Sequence, residues 1–218
     1  MAIRLKRNFS MPSSDDEARC RLLKATPEFL GGFGEAIWAN VLASSGWLYV
    51  SLTAIEQGGA PMGRSKNGCV VLPDFDAKRG GKSVYVDAKV KSQSIFYRNK
   101  KSERHGINLS AYENYCKMQE IASQPCALGI IDLHRERDSG VIAWSGGLLF
   151  ETLRNLGEPN SEYDETPRKV YWPRKRFCDL DSFSPRELFA LATGQLRRSY
   201  EIEMDQILYP RTQRGLFD

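Results

Sequence analysis

Leu72-Pro73-Asp74-Phe75-Asp76-Ala77-Lys78-Arg79-Gly80-Gly81-Lys82-Ser83-Val84-Tyr85-Val86-Asp87-Ala88-Lys89 is the stretch of the chain that decides the fold. Gly80-Gly81 between two β-prone runs is the signal of a two-residue hairpin. Counting outward from that turn, Arg79 faces Lys82 and Asp74 faces Asp87. Partners across an antiparallel pair share a face, with Cβ atoms about 4.5–5.5 Å apart. The period of two puts Lys89 on the face of Asp87 and sends Val84, Val86, Ala88 and Val90 the other way, toward a core. Two facing carboxylates repel unless a cation lies between them. Mg²⁺ is held through one or two carboxylates together with substrate phosphate. A lysine two residues along can lower the pKa of a nearby water and stabilise developing negative charge. Carboxylates, cation and lysine are the parts needed to attack a phosphodiester. The plain alternative is a surface hairpin whose Asp and Lys residues solvate one face; Pro73 and the apolar opposite face argue against it. A register slip would put Asp76 in the place of Asp74.

Outward from the hairpin, the chain reads as an α/β domain. Pro12-Ser13-Ser14-Asp15-Asp16 is a loop or a helix N-cap. Ile37, Trp38, Val41 and Leu42 recur at helical spacing between Phe33 and Ser44, after Gly31-Gly32. Strands are expected over Trp47 to Ile55, Cys69 to Leu72, Lys82 to Lys91, Cys126 to Leu133 and Val141 to Trp144. Residues 92–108 read as a polar, basic connection, and Ser110-Ala111-Tyr112-Glu113 as a capping box opening a helix to about Ser123. A short helix is expected over Leu148 to Leu156 and a polar loop over 157–168. A basic, aromatic strand follows over Lys169 to Cys178, then a last helix after Ser184-Pro185-Arg186-Glu187 to about Leu196.

Composition excludes several classes. The 218 residues are 41% hydrophobic and 27% charged, too apolar for a disordered chain. No run approaches 18 apolar residues, which predicts no membrane-spanning helix. Met1-Ala-Ile-Arg-Leu-Lys-Arg lacks the apolar centre of a signal peptide, and five cysteines form no C-x-x-C pair. A reducing cytoplasm, prokaryotic or phage-encoded, is expected, with Cys20, Cys69, Cys116, Cys126 and Cys178 as buried free thiols. No G-x-S-x-G and no H-E-x-x-H occurs. Arg79-Gly80-Gly81-Lys82-Ser83 is not a phosphate loop, because its first glycine would fall on Asp76 and a strand follows it.

Pro73-Asp74, twelve residues, then Asp87-Ala88-Lys89 resembles the motif of the PD-(D/E)xK nuclease superfamily. The resemblance covers about residues 31–145. It implies a restriction-endonuclease-like αβββαβ core, a central mixed β-sheet flanked by helices. It also implies that Asp74, Asp87 and the Ala88 backbone carbonyl ligate the metal and that Lys89 positions the attacking water. Mg²⁺ would be the cofactor, with Mn²⁺ able to substitute. Relatives often add a glutamate on the first helix, and Glu35 stands where it is expected, about 20° from Leu42 on a helical wheel. It would be a metal or water ligand, or else an ordinary acid near a helix N-terminus. His105 and Tyr112 lie where some relatives contact the scissile phosphate, and Gln119, on the same helix face as Tyr112, has a weaker claim. His134 reads as a strand-end surface residue.

The formal net charge of +4 is unevenly spread. Positions 78–104 hold nine Lys/Arg against two acids, and positions 168–176 hold five more, interleaved with Tyr171 and Trp172. Basic and aromatic strips suit phosphate backbones and unstacked bases, although edge-strand lysines also discourage aggregation. Near the metal site, Arg79, Lys82 and Lys91 are candidates for substrate contact. The domain expectation is an N-terminal extension over 1–30, a nuclease core over 31–156 and a C-terminal extension over 157–218 that grips DNA or a second subunit. The functional expectation is a Mg²⁺-dependent DNA endonuclease, with a homodimer as the simple route to cutting both strands. The rival is a nucleic-acid-binding or protein-interaction subunit on a nuclease-like scaffold, and RNA is the other substrate to weigh.

Overall fold

Alternation decides the centre of the molecule. In the strand Lys82–Lys91, Val84, Val86, Ala88 and Val90 face one core while Tyr85 packs against a second, so the sheet built on this strand is covered on both sides. The computed structural model describes residues 9–52, 62–65, 68–91, 95–97, 102–138, 141–159 and 168–209. In chain order its strands are β1 (Leu48–Ser51), β2 (Met62–Ser65), β3 (Gly68–Val71), β4 (Phe75–Arg79), β5 (Lys82–Lys91), β6 (Ile95–Tyr97), β7 (Ser102–Asn108), β8 (Cys126–Asp138), β9 (Val141–Thr152), β10 (Lys169–Pro173) and β11 (Cys178–Phe183). Its helices are α1 (Asp15–Leu23), α2 (Pro27–Ser44), α3 (Leu109–Ala122), α4 (Leu153–Leu156), α5 (Pro185–Thr193) and α6 (Glu201–Leu208). Among the described residues no helix is long and apolar enough to cross a membrane.

The main sheet runs β1-β4-β5-β8-β9-β11. β5 and β8 are parallel, and the other neighbours are antiparallel. α3 is the crossover between β5 and β8, so α2, β1, β4, β5, α3 and β8 give the αβββαβ order of a mixed α/β fold, with β2 and β3 as an added hairpin. One core joins α1, α2, α5 and α6 to the sheet through Phe33, Trp38, Phe75, Phe150, Phe189 and Met204. The other joins α3, α4 and the small sheet β10-β7-β6 to the opposite face through Tyr115, Ile130, Leu149 and Trp172.

Gly80 and Gly81 take positive φ, 52° and 78°, as a primed two-residue turn requires. The register that follows is Arg79 opposite Lys82, through to Phe75 opposite Val86. Asp74 is the next residue in line.

Several elements differ from the sequence expectation. α2 starts at Pro27 rather than Phe33, because Thr26 caps it and Pro27 occupies the first turn; Gly31 and Gly32 lie inside it. Residues 102–108 form β7, not a connection, since β10 supplies the partner that a polar strand needs. The expected capping box at Ser110 does not form. Asn108 is the N-cap of α3 without a side-chain bond, and the first helical amide, on Leu109, donates to the Arg168 carbonyl. Leu148 to Thr152 belongs to β9 and only Leu153–Leu156 is helical. That run reads as helix because Leu148 and Phe150 enter one core and Leu149 the other. α6 follows the helix expected to be last. The segments expected as extensions supply Ala18, Leu22, Leu188, Phe189 and Met204 to the main core, and β11 pairs with β9. Of the thiols, Cys126 is buried, Cys116 and Cys178 are half-buried and Cys20 is exposed, on the side of α1 away from Ala18 and Leu22. The side chains of Cys69 and His134 lie outside the described residues.

Candidate active site

The hairpin ladder ends at Phe75, and the chain turns there through Pro73-Asp74. Asp74 follows the ladder inward: its Oδ2 accepts from the Ala88 amide at 2.8 Å, while its carbonyl accepts from Leu52 at 2.8 Å. Asp87, one residue before Ala88, is 1% exposed. Its Oδ1 accepts from the Lys89 ammonium at 2.7 Å and from the Tyr115 hydroxyl at 2.8 Å. Its Oδ2 is buried with no hydrogen-bond partner among the described residues. The Lys89 Nζ is also 3.4 Å from the Ala88 carbonyl and 4.0 Å from Asp74 Oδ2. Asp74, Asp87, Ala88 and Lys89 are thus brought together as the hairpin register requires. Asp76 is not among them; it pairs with Tyr85 and accepts from Gln124 at 3.1 Å.

The electrostatics follow from burial. Desolvation, then the neighbouring Asp87 charge, pushes the Asp74 carboxyl up to about 7. Burial works against the Lys89 ammonium, but Asp87 and Asp74 outweigh it and raise its pKa, so Lys89 is a cation at neutral pH. Burial and the Asp87 charge raise the Tyr115 hydroxyl well above its ordinary value, which keeps it a donor. Glu35, 8% exposed, acts on both Asp74 and Lys89 through its charge.

The depth of α2 sets where Glu35 stands. A Cβ on Gly34 would lie 2.8 Å from the Val90 side chain, and one on Gly129 would lie 2.4 Å from the Trp38 ring. Both glycines let α2 lie close on β5 and β8, with Gly129 the register partner of Ala88. Among the described residues no three His, Cys, Asp or Glu side chains are placed to hold a metal ion together. Asp74 and Asp87 form a pair, and Glu35 influences it without completing a three-side-chain cage.

The chain matches no family model and no curated protein. Among solved structures it is similar to a Holliday junction resolvase from the archaeal hyperthermophile Archaeoglobus fulgidus, at 10% identity and a TM-score of 0.39, covering 67% of this chain and 91% of that one.

The other candidates fall elsewhere. Arg79 and Lys82 sit at the hairpin tip, about 16 Å along β5 from Asp87 at the usual rise per residue. Both are bound to Asp205 of α6, and Arg79 also holds the Ser45 carbonyl and lies over the Trp47 ring. They clamp the tip to the C-terminal helix. A depression of about 460 Å³ lined by Gly46, Leu48, Arg79 and Lys82 belongs to that same end. His105 is 1% exposed on β7, its Nε2 3.2 Å from Asp132 Oδ2 and its ring edge-on to Phe177, so it is a core residue and not a substrate contact. Gln119 accepts from the Cys126 amide at 3.0 Å and fastens the start of β8. Tyr112 is half-buried, edge-on to Trp172, with its hydroxyl pushed up to about 12 mainly by burial. Lys91 remains on the face of Asp87 and Lys89.

Sequence reasoning did not single out Tyr115 or Asp132. Tyr115 is one helical turn beyond Tyr112, on the stripe that faces β5. Asp132 is an acid inside an otherwise apolar strand, Cys126 to Leu133, which is itself a signal of a buried partner. Arg174 supplies it, with Nε 3.0 Å from Asp132 Oδ2 and both terminal nitrogens on Asp179.

Proposed function

We propose that the protein is a divalent-metal-dependent phosphodiesterase of the PD-(D/E)xK kind, acting on DNA. The observation that carries this reading is the pair of buried Asp87 and half-buried Asp74 with the Lys89 ammonium beside it. A hidden carboxylate pair, one member of it pushed up to about 7, is costly for the protein alone and suits a hard cation. Asp74, the open Oδ2 of Asp87 and the Ala88 carbonyl are the oxygens that would hold Mg²⁺ or Mn²⁺. When bound, such an ion supplies charge neutralisation at the phosphate and a more acidic water.

The chain's own residues do the rest. Tyr115 fixes Asp87 through Oδ1 and thereby orients Oδ2. Lys89, held protonated, donates rather than accepts, so it orients an attacking water by hydrogen bonding and opposes negative charge on the phosphate oxygens. Glu35 adds negative charge at the rim from α2 and is a water-positioning group in this reading. The pairing of β5 with β8 fixes Asp87, Ala88 and Lys89 on a rigid strand rather than a loop.

Incubation of plasmid and linear DNA with Mg²⁺, Mn²⁺ or EDTA tests this directly. Cleavage is expected with either metal and none in EDTA, and Asp87→Asn should lower the rate by roughly a thousandfold or more, since several kcal/mol of transition-state stabilisation depend on the ion. Equal cleavage by the variant, or none with any metal, overturns the proposal. The absence of a third side-chain ligand among the described residues favours the second reading, a nucleic-acid-binding subunit on this scaffold; binding that persists in EDTA without cleavage would support it. The same assay on labelled RNA separates the substrates.

A further inference from the structure

Beyond the carboxylate pair, β5 ends in a lysine with no counter-ion among the described residues. Lys91 is half-buried on the face of Asp87 and Lys89, and among the described residues no carboxylate lies within ion-pair distance of its ammonium. The acid best placed to neutralise it is Asp132, its direct neighbour across the parallel ladder. Its charge is already shared by His105 and Arg174 through Oδ2, while Oδ1 is buried without a hydrogen-bond partner among the described residues. Asp132 Oδ2 receives both His105 Nε2 and Arg174 Nε, and Gly147, whose absent Cβ would meet Arg174 at 3.3 Å, leaves the guanidinium room to reach it.

The charges that act on Lys91 are two cations against the one carboxylate of Asp87. Lys89 is two residues back on the same face, and Lys169 of β10 is within electrostatic reach. Burial, then Lys89 and with it Lys169, lowers the Lys91 pKa to about 8 against the opposing charge of Asp87. Lys169 is exposed and pairs in register with Asn108, the N-cap of α3. Because α3 returns antiparallel to β5, its amide end lies at the Lys91 end of the strand, and its dipole adds positive potential there. A half-buried cation without an ion-pair partner among the described residues and beside two other cations is unfavourable in the free protein and becomes favourable when an anion arrives.

We propose that Lys91 and Lys169 bind a backbone phosphate of the nucleic-acid strand, next to the phosphate that faces Lys89 beside the Asp74–Asp87 pair. This rests on the phosphodiesterase reading for the identity of the ligand. Lys91 projects one pleat repeat beyond Lys89, about 6.6 Å, which is the scale on which neighbouring phosphates follow one another along a strand. Lys169 brings the C-terminal part of the chain into substrate contact through a single strand, β10, rather than through its whole basic segment.

The test is fluorescence anisotropy of labelled oligonucleotides in EDTA over a salt series, for the whole chain and for Lys91→Gln, Lys169→Gln and Lys91→Arg. Each Gln variant should lower the slope of log affinity against log salt by about one, and Lys91→Arg should keep it. Lys91→Gln should melt no lower than the parent, because it removes a repelled cation. An unchanged slope in Lys91→Gln overturns the proposal, as does loss of slope in Lys91→Arg. A loss seen with 5′-phosphorylated ends alone also overturns it, in favour of a terminal-phosphate pocket. Because this readout needs no cleavage, failure of the Asp87→Asn assay with the Lys91 dependence intact would sink the enzymatic reading and leave the subsite standing.

Discussion

Asp74 is where the chemistry and the stability of the chain meet. In the unfolded chain its carboxyl titrates near 3.8, and in the folded protein near 7, raised by burial and by Asp87. Between those values the folded state holds a proton that the unfolded state has released, so stability falls as pH rises through that window and levels off above it. The metal-free protein should therefore be less stable at pH 8 than at pH 5, by a few kcal/mol at about 1.4 kcal/mol per pKa unit. Asp74→Asn should flatten that dependence. Chemical denaturation in EDTA at several pH values reads it, and a wild-type profile as flat as the variant's would refute the assignment. The opposite sign holds at Asp132, whose pKa is lowered because the bonds from His105 and Arg174 outweigh burial. It stabilises the fold above the unfolded value and ceases to do so as pH falls through the folded one. Which acids matter was partly legible in the sequence. Asp74 and Asp87 follow from a turn and a period of two, both local. The Asp132 partnership with His105 and Arg174 joins β8, β7 and the 3-10 turn Arg174–Arg176 and has no local signature beyond an acid in an apolar run.

At the scale of elements, the site depends on how closely α2 lies on the sheet. Gly129 faces the Trp38 ring, and a methyl group there would come within 2.4 Å of it. Trp38 is fully buried and tilted against Phe150, so it has nowhere to move without lifting α2. Gly129→Ala should then destabilise the protein by about 1–3 kcal/mol or more, the range for overpacked cores. It should also lower cleavage through the displaced Glu35 while leaving Asp74, Asp87 and Lys89 in place. Thermal melts and rates measured together check this; a variant with parental stability and rate would show that α2 is not set by that contact. The same elements show what sequence patterns carry. β4 and β5 were readable because the residues they send to the main core alternate with polar or aromatic ones and a two-glycine turn joins them. β9 was not, because apolar residues on both faces erase alternation, and β7 was not, because its start is polar and one of its two partners, β10, lies some sixty residues away in sequence.

For the whole molecule, the issue is whether the residues after the small sheet are an appendage or part of the fold. β11 completes the main sheet beyond β9, and α5 lies against α2, with Phe189 and Phe33 ring centroids 4.8 Å apart and Asn40 donating to the Leu191 carbonyl at 2.7 Å. α6 buries Met204 fully, and Asn155 donates to its Ile207 carbonyl at 3.1 Å. Burying Leu188, Phe189, Leu191 and Met204 is worth about 1.5–3 kcal/mol each, so their sum is comparable with a typical net stability of about 5–15 kcal/mol. A chain ending at Phe177 keeps Asp74, Asp87, Lys89, Lys91 and Lys169 but should lose cooperative folding. Its near-UV circular dichroism should collapse and its melt broaden. Asp205→Ala, by contrast, releases only the clamp on Arg79 and Lys82 at a half-buried site, and should lower stability by about 1 kcal/mol with cleavage intact. A sharp, native-like melt for the shortened chain would show that the sheet through β9 suffices, and would make the C-terminal elements a separable layer on an independent core.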